Sequence, residues 1–271
     1  MTTMGNVQFQ MVEERGWRRG LGNLLRGEFS SWFKSIRWLK HLVIWVLAIN
    51  GMMAIMAYAT ADAARSGDEG PPLMLMYGIF GGMIVAFGVM IVMQRVVVSE
   101  KRYGTAAWVL SKPVTRTAFV VSRLVVNSLA ILLTTTVVPG LLVYVTFGGL
   151  TPLGWISPLS FLVGVLMFVL HTFFWITLVL MMGTLVDSAA TVIAVPMGLY
   201  FVLWFGPYLV PALIYISPLL LTFGNEGTVN SLAASFMVGE PVFSWLPLIV
   251  TVASCAIFIA VAIWRFNRQE F

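Results

Sequence analysis

Six long apolar tracts constrain the fold of this chain more than any other feature of its sequence. An α-helix needs about 20 apolar residues to cross the hydrocarbon core of a bilayer, and it satisfies its own backbone hydrogen bonds there. We therefore predict an all-α, polytopic membrane protein with six transmembrane helices. The tracts cover residues 41–61, 73–93, 117–147, 159–186, 189–205 and 245–264.

The composition excludes a water-soluble globular protein. Of the 271 residues, 59% are hydrophobic and 10% are charged, whereas a soluble domain carries about 25% charged residues. Too few polar side chains remain to cover a surface that faces water. We attribute the net charge of +5 to basic residues in cytoplasmic loops and not to nucleic-acid binding. The predicted partner is therefore the lipid bilayer, and we expect no nucleic acid to bind.

The distribution of lysine and arginine predicts the orientation of the spans. Six spans place both chain ends on the same side of the membrane. Of the 16 Lys and Arg residues, only Arg65 falls in a segment that would then lie outside, beside Asp62, Asp68 and Glu69. Cytoplasmic segments carry an excess of basic residues. The prediction is an N-in, C-in, multi-pass protein of the inner (plasma) membrane.

Residues 1–40 form a basic, cytoplasmic N-terminal region ahead of the transmembrane domain, residues 41–271. Within it, residues 17–40 repeat apolar side chains at spacings of three or four, with most basic side chains on the other face. The pattern predicts an amphipathic helix in the headgroup layer; a helix packed on a cytoplasmic partner is the alternative. The apolar positions are Leu21, Leu25, Phe29, Trp32, Ile36 and Leu39.

Proline and glycine mark where the apolar tracts are interrupted. Pro139 lies inside the third tract and predicts a kink or a tilt there. Gly206 and Pro207 are expected to end the fifth span. Residues 211–244 hold several prolines and glycines, so we predict an extracytoplasmic, re-entrant segment of short helices.

Several motifs of known chemistry are missing from the sequence. It contains no G-x-x-x-x-G-K-[ST], no H-E-x-x-H, no G-x-S-x-G and no clustered Cys and His ligands. The spans also lack the acids and bases that ion-coupled carriers place in the membrane. We therefore predict that the chain is not an enzyme, holds no cofactor or metal, and takes any energy for transport from another protein.

A few polar residues do fall inside the apolar tracts. Asn50, Asn127 and His171 either make hydrogen bonds between helices or line a substrate cavity. Gly78 and Gly82 lie four residues apart, a spacing that permits close helix approach and is weak evidence for a dimer face.

A basic segment, residues 94–116, separates the second and third tracts. Residues 99–105 are expected to turn and begin a short helix, to which residues 106–110 give an apolar face. Pro113 ends that helix, and Thr115 can cap the third span. The prediction is a short helix parallel to the membrane and connected to the ends of two spans. A partner that binds this helix would therefore move both spans. An ordinary basic loop that only fixes orientation is the alternative.

The basic segment resembles the first cytoplasmic loop of ABC-2 type (type V) ABC transporter permeases. That family typically shows E-x-E-x-G-T-L-E-x-L-L-x-x-P-V-S-R, with a lysine seven residues after the arginine. Thr115 and Arg123 replace the serine and the lysine, and Arg102 and Ala107 stand where the family often has acids. The matching residues are Glu100, Gly104, Thr105, Leu110, Pro113, Val114 and Arg116.

The resemblance implies a permease subunit, most often of an exporter, that works with a separate nucleotide-binding ATPase subunit. ATP and magnesium would bind in that partner, and a second permease chain, identical or different, would complete the transporter. A structural or force-transmitting membrane subunit without its own substrate is the alternative function. The resemblance implies that the ATPase contacts Glu100, Gly104, Thr105, Trp108, Leu110, Lys112, Pro113 and Arg116.

Overall fold

The computed structural model describes residues 15–66, 73–150, 155–224 and 230–269. All regular secondary structure in these ranges is helical, which confirms the predicted fold class. Residues 1–14, and Asp68 and Glu69 in the loop after the first apolar tract, lie outside the described residues. The helices that are long and apolar enough to cross a membrane, numbered spans 1 to 6, are Arg37–Ser66, Leu73–Arg102, Arg116–Gly149, Pro158–Leu185, Ala189–Leu209 and Leu246–Asn267.

The N-terminal amphipathic stretch is shorter than the sequence predicts. A 3-10 turn at Gly16–Arg18 precedes a helix at Leu21–Phe33, and span 1 begins separately at Arg37. The predicted continuous helix over residues 17–40 is therefore wrong. The Ser35 hydroxyl bonds to the carbonyls of two residues in the preceding turn, and such bonds compete with continuation of a helix. The remaining helix, Leu21–Phe33, is called the N-terminal helix below.

Span 4 occupies the centre of the bundle. In its most apolar window 67% of the residues are buried, against 22% in spans 1 and 6 and 17% in span 5. Its side chains pack against span 2, span 6 and the short helices that follow span 5. The outer spans keep large apolar side chains exposed, including Leu47, Phe205 and Ile257. A bilayer would cover those faces with acyl chains.

Span 3 departs from α-helical geometry just before Pro139, with a π-helical stretch at Leu132–Val137. Proline has no N–H to donate, and its ring crowds the preceding turn of a regular helix. The hydroxyls of Thr134 and Thr135 donate to the carbonyls of the preceding turn at 2.7 and 2.9 Å. The irregularity predicted at this proline is therefore a widened turn whose neighbouring carbonyls are hydrogen-bonded.

A second π-helical stretch, Gly78–Ile84, contains the two glycines of the small-residue pattern. Both glycines face Thr222, and a Cβ built on Gly82 would lie 2.5 Å from the Thr222 hydroxyl. The close approach that the spacing permits is thus made within this chain, between span 2 and the segment after span 5.

Span 5 is longer than predicted, since it continues through Gly206 and Pro207 and ends at Leu209. The expected end at residue 205 is wrong, and the backbone beyond the proline stays bonded, with the Val210 N–H donating to the Gly206 carbonyl at 2.8 Å. In the described parts of residues 211–244, the predicted short helices are present at Pro211–Ile216, Pro218–Leu221 and Leu232–Val238. Buried leucines of the last two helices, together with Met237, pack on span 4.

Candidate functional site

The basic segment, which follows the apolar part of span 2 ending at Met93 and precedes span 3, folds into two short helices. Val98–Arg102 and Thr105–Leu110 are joined through Gly104, whose φ is 69°. That left-handed conformation suits glycine because it has no Cβ to clash with the backbone. The Thr115 hydroxyl accepts a hydrogen bond from the Ala118 N–H at 3.1 Å, which confirms the predicted cap of span 3.

The outer face of the basic segment carries exposed aromatic and basic side chains. Tyr103 is 84% exposed and Trp108 is 65% exposed, and the Lys112 ammonium lies 5.3 Å from the centre of the Trp108 ring. Arg102 and Pro113 are exposed beside them. Aromatic residues and arginine are enriched where proteins bind each other, so this face, called the docking face below, has the composition of a binding surface.

The remaining predicted contact residues divide between the docking face and the interior. Gly104 and Thr105 are exposed, whereas Leu110 is partly buried against the apolar core. Ala106 is fully buried on the inner side of the same short helix. The segment therefore has two faces, one anchored on the spans and one turned outward.

Arg123 of span 3 joins the basic segment to the N-terminal helix. Its guanidinium forms ion pairs with Glu28 and with Glu100, the latter at 2.9 Å. The three side chains are 13%, 19% and 21% exposed. Sequence reasoning missed Glu28, although its position between Leu25 and Trp32 places a carboxylate on the apolar stripe of an amphipathic helix. An acid at such a position signals a buried basic partner.

Lys101 anchors the basic segment to the loop between spans 4 and 5. Its ammonium lies 2.6 Å from the Asp187 carboxylate and donates to the Val186 carbonyl at 2.9 Å. The lysine side chain is 9% exposed, whereas that of Asp187 is 83% exposed. The short break after span 4 thus supplies a direct contact to the basic segment.

The start of span 3 is bonded to both ends of the described chain. The Thr115 N–H donates to the Arg19 carbonyl at 3.1 Å, and the Thr115 hydroxyl donates to the Trp17 carbonyl at 2.5 Å. Arg116, predicted to contact a partner, donates to the Asn267 carbonyl at the end of span 6 at 2.6 Å. Its guanidinium therefore joins span 3 to span 6 within this chain.

The polar residues inside the spans make hydrogen bonds between elements. Asn50 donates to the Pro139 carbonyl at 3.2 Å, and Asn127 accepts from the Trp32 indole at 3.0 Å. His171 is buried and receives the Trp175 indole N–H on Nε2 at 3.1 Å. Its Nδ1 then carries the proton and donates to the Pro218 carbonyl at 3.1 Å, which describes a neutral imidazole.

Two cavities flank these elements. A small, mostly apolar one of about 50 Å³ lies between span 5 and the segment that follows it, near Trp204 and Phe223. A larger one of about 630 Å³ lies beneath the N-terminal helix and is bordered by Glu100, Arg123 and Asn127. Asn50 and His171 line neither of these two cavities.

These features define a multi-pass membrane protein in which a loop between two spans is anchored inward and presents an aromatic, basic face outward. Comparison with protein-family models agrees with that class: the model described as ABC-2 family transporter protein matches residues 41–271. The chain belongs to the ABC-2 transporter family and is a membrane transport subunit. A search of curated proteins found no match to it.

Proposed function

We propose that the chain is the permease subunit of an ATP-driven ABC-2 exporter, and that a separate nucleotide-binding subunit binds its docking face. The observation that carries the proposal is the contrast between the two sides of the basic segment. Tyr103, Trp108 and Lys112 are exposed, whereas Lys101 and Glu100 are held by ion pairs on the inner side.

The anchoring contacts supply a path for motion into the membrane. A partner that moves the docking face moves Lys101 with the loop between spans 4 and 5, and Glu100 with span 3 and the N-terminal helix. Close-packed interiors transmit displacement because they contain little free volume. ATP binding and hydrolysis in the partner would thus act on several spans through one short segment.

We also propose how the spans are oriented in the membrane and which membrane contains the protein. Both chain ends and the docking face lie in the cytoplasm, and residues 211–244 lie on the outer side, where they would gate release. The clustering of Lys and Arg in residues 1–40, 94–116 and 265–271 supports this orientation. We place the protein in the inner (plasma) membrane.

A second permease chain, identical or different, would complete a translocation path between the two subunits. The exposed apolar faces of spans 1 and 5 are compatible with such a neighbour as well as with lipid. Few polar side chains are present in the spans, which favours a lipophilic or amphipathic cargo over a free ion.

Affinity purification of the tagged full chain from its native membrane tests the proposal. We expect a P-loop ATPase to co-purify, and Trp108→Glu to abolish both its retention and the coupled ATPase activity. Trp155→Glu is the matched control, because Trp155 is 64% exposed and lies at the opposite ends of the spans. Recovery of the chain without any nucleotide-binding subunit would instead favour a structural or force-transmitting membrane subunit.

A further inference from the structure

The cavity of about 630 Å³ lies between the N-terminal helix, the start of span 1, the end of span 2 and the start of span 3. Its wall combines cationic side chains with apolar ones, and no step of the proposed coupling uses its interior. A cavity of this volume at the ends of three spans can hold a ligand headgroup.

The cavity wall carries more positive than negative charge. Arg37, Lys40 and Arg95 border it together with the Arg123 ion-pair cluster. Within that cluster, two carboxylates face one guanidinium. The other three cations are exposed and form no ion pair with any residue in the described ranges. An anionic group would therefore find three basic side chains with no carboxylate partner in the part of the chain that the structure describes.

The charged and apolar residues of the wall are arranged in order of depth. In span 1, Arg37 and Lys40 stand in the first turn, and Ile44 follows seven residues after Arg37, which is about 10 Å along a helix. In span 2, the α-helical stretch Val85–Met93 ends one residue after Val92, and Arg95 lies in the turn that follows it. A molecule with a charged head and an apolar tail could contact both the charged and the apolar parts of this wall. A free inorganic anion would contact only the charged part.

Two buried polar atoms at the cavity also lack protein partners. Nε of Arg123 and Oε2 of Glu100 have no hydrogen-bond partner among the described residues, although both side chains border the cavity. One atom is a donor and the other an acceptor. Both atoms are buried behind the surface of the wall, so they add polarity to its charged end, and the anionic group is assigned to the three exposed cations.

We propose that this cavity binds the headgroup of one acidic phospholipid, held as a fixed constituent of the protein and not as its cargo. The phosphate faces Arg37, Lys40 and Arg95, and the start of an acyl chain lies along Ile44 and Val92. Assignment to the cytoplasmic leaflet rests on the orientation given under the proposed function; binding itself does not. The lipid joins spans 1 and 2 beside the Arg123 cluster, so it stiffens the anchoring of the basic segment.

Native mass spectrometry of the purified full chain in detergent tests the proposal without any ATPase. We expect one phosphatidylglycerol to bind in preference to phosphatidylcholine. The Arg37→Gln/Lys40→Gln/Arg95→Gln variant should weaken phosphatidylglycerol binding roughly 100-fold. Each basic residue near an anionic lipid lowers the dissociation constant about fivefold, and the variant removes three. The matched control, Arg18→Gln/Arg265→Gln/Arg268→Gln, removes three cations that do not line the cavity and should retain binding.

Additional measurements distinguish a lipid headgroup from a soluble anion and control for misfolding of the variants. Inorganic phosphate at millimolar concentration should not displace the lipid; displacement would assign the site to a soluble anion and overturn the proposal. The charge-conserving Arg37→Lys/Arg95→Lys variant should keep the preference, even if the triple variant proves unstable. Equal binding of the two lipids by the wild-type chain, or retention of phosphatidylglycerol by a folded triple variant, would also overturn it. None of these results depends on whether an ATPase co-purifies.

Discussion

Arg123 is the residue whose replacement tests the anchoring of the basic segment most directly. In Arg123→Gln, the Glu28 and Glu100 carboxylates lose their shared cation while remaining only 19% and 21% exposed. Breaking a fully buried ion pair costs about 3–5 kcal/mol because the remaining charge has no partner. Partial exposure lets water screen the two carboxylates, so we expect a loss of about 2–3 kcal/mol in the free energy of unfolding.

Thermal unfolding of the purified chain in detergent measures this loss. At about 2–4 °C per kcal/mol for a protein of this size, the midpoint should fall by roughly 4–12 °C. The control is Arg102→Gln, which removes an exposed guanidinium and should change the midpoint little.

A triple replacement separates charge from packing. Glu28→Gln/Glu100→Gln/Arg123→Gln removes all three charges, and replacing a whole buried ionic cluster is often nearly neutral. It should therefore recover most of the stability lost in the single variant. An unchanged midpoint in Arg123→Gln, or a triple variant that is as unstable as the single one, would show that the ion pairs of Arg123 do not stabilise the fold.

Three further replacements test separate contacts. Lys101→Met removes the contact to Asp187, which is largely exposed; stability should fall by less than about 1 kcal/mol, while coupled ATPase activity in the assembled transporter falls severalfold. Gly104→Ala imposes a side chain on a φ of 69° with open space around it, so thermal unfolding should show a strain cost of about 1–2 kcal/mol. Gly82→Ala places a Cβ against Thr222 and should lower the midpoint of unfolding, with partial recovery in Gly82→Ala/Thr222→Ala.

For each of these three replacements, one result would contradict the contact or conformation that it tests. Full coupling in Lys101→Met would show that the loop between spans 4 and 5 does not carry motion. A Gly104→Ala chain as stable as wild type would mean that this backbone relaxes out of the left-handed region at no cost. Equal midpoints for the Gly82 single and double variants would show that Thr222 is not the side chain that limits packing there.

Local features of the structure follow from neighbouring residues and could be predicted from the sequence. The spans form where about 20 apolar residues are consecutive, because a helix is the element that satisfies its own backbone in lipid. Thr115 caps span 3 and Gly104 turns the basic segment, since each depends on only a few adjacent positions. The ends of elements were less predictable: span 5 passes through Pro207, and the N-terminal helix ends at Phe33.

The contacts that anchor the candidate site were decided by the tertiary structure. Glu28 and Arg123 are separated by 95 positions along the chain, yet they form an ion pair. Lys101 pairs with Asp187, although spans 3 and 4 separate the two residues along the chain. An amphipathic pattern states which side of a helix is buried, but not which residue it is buried against. Segment composition therefore determined the six-span fold and a basic loop. Packing between distant segments decided which charges around the cavity are paired and which have no carboxylate partner among the described residues.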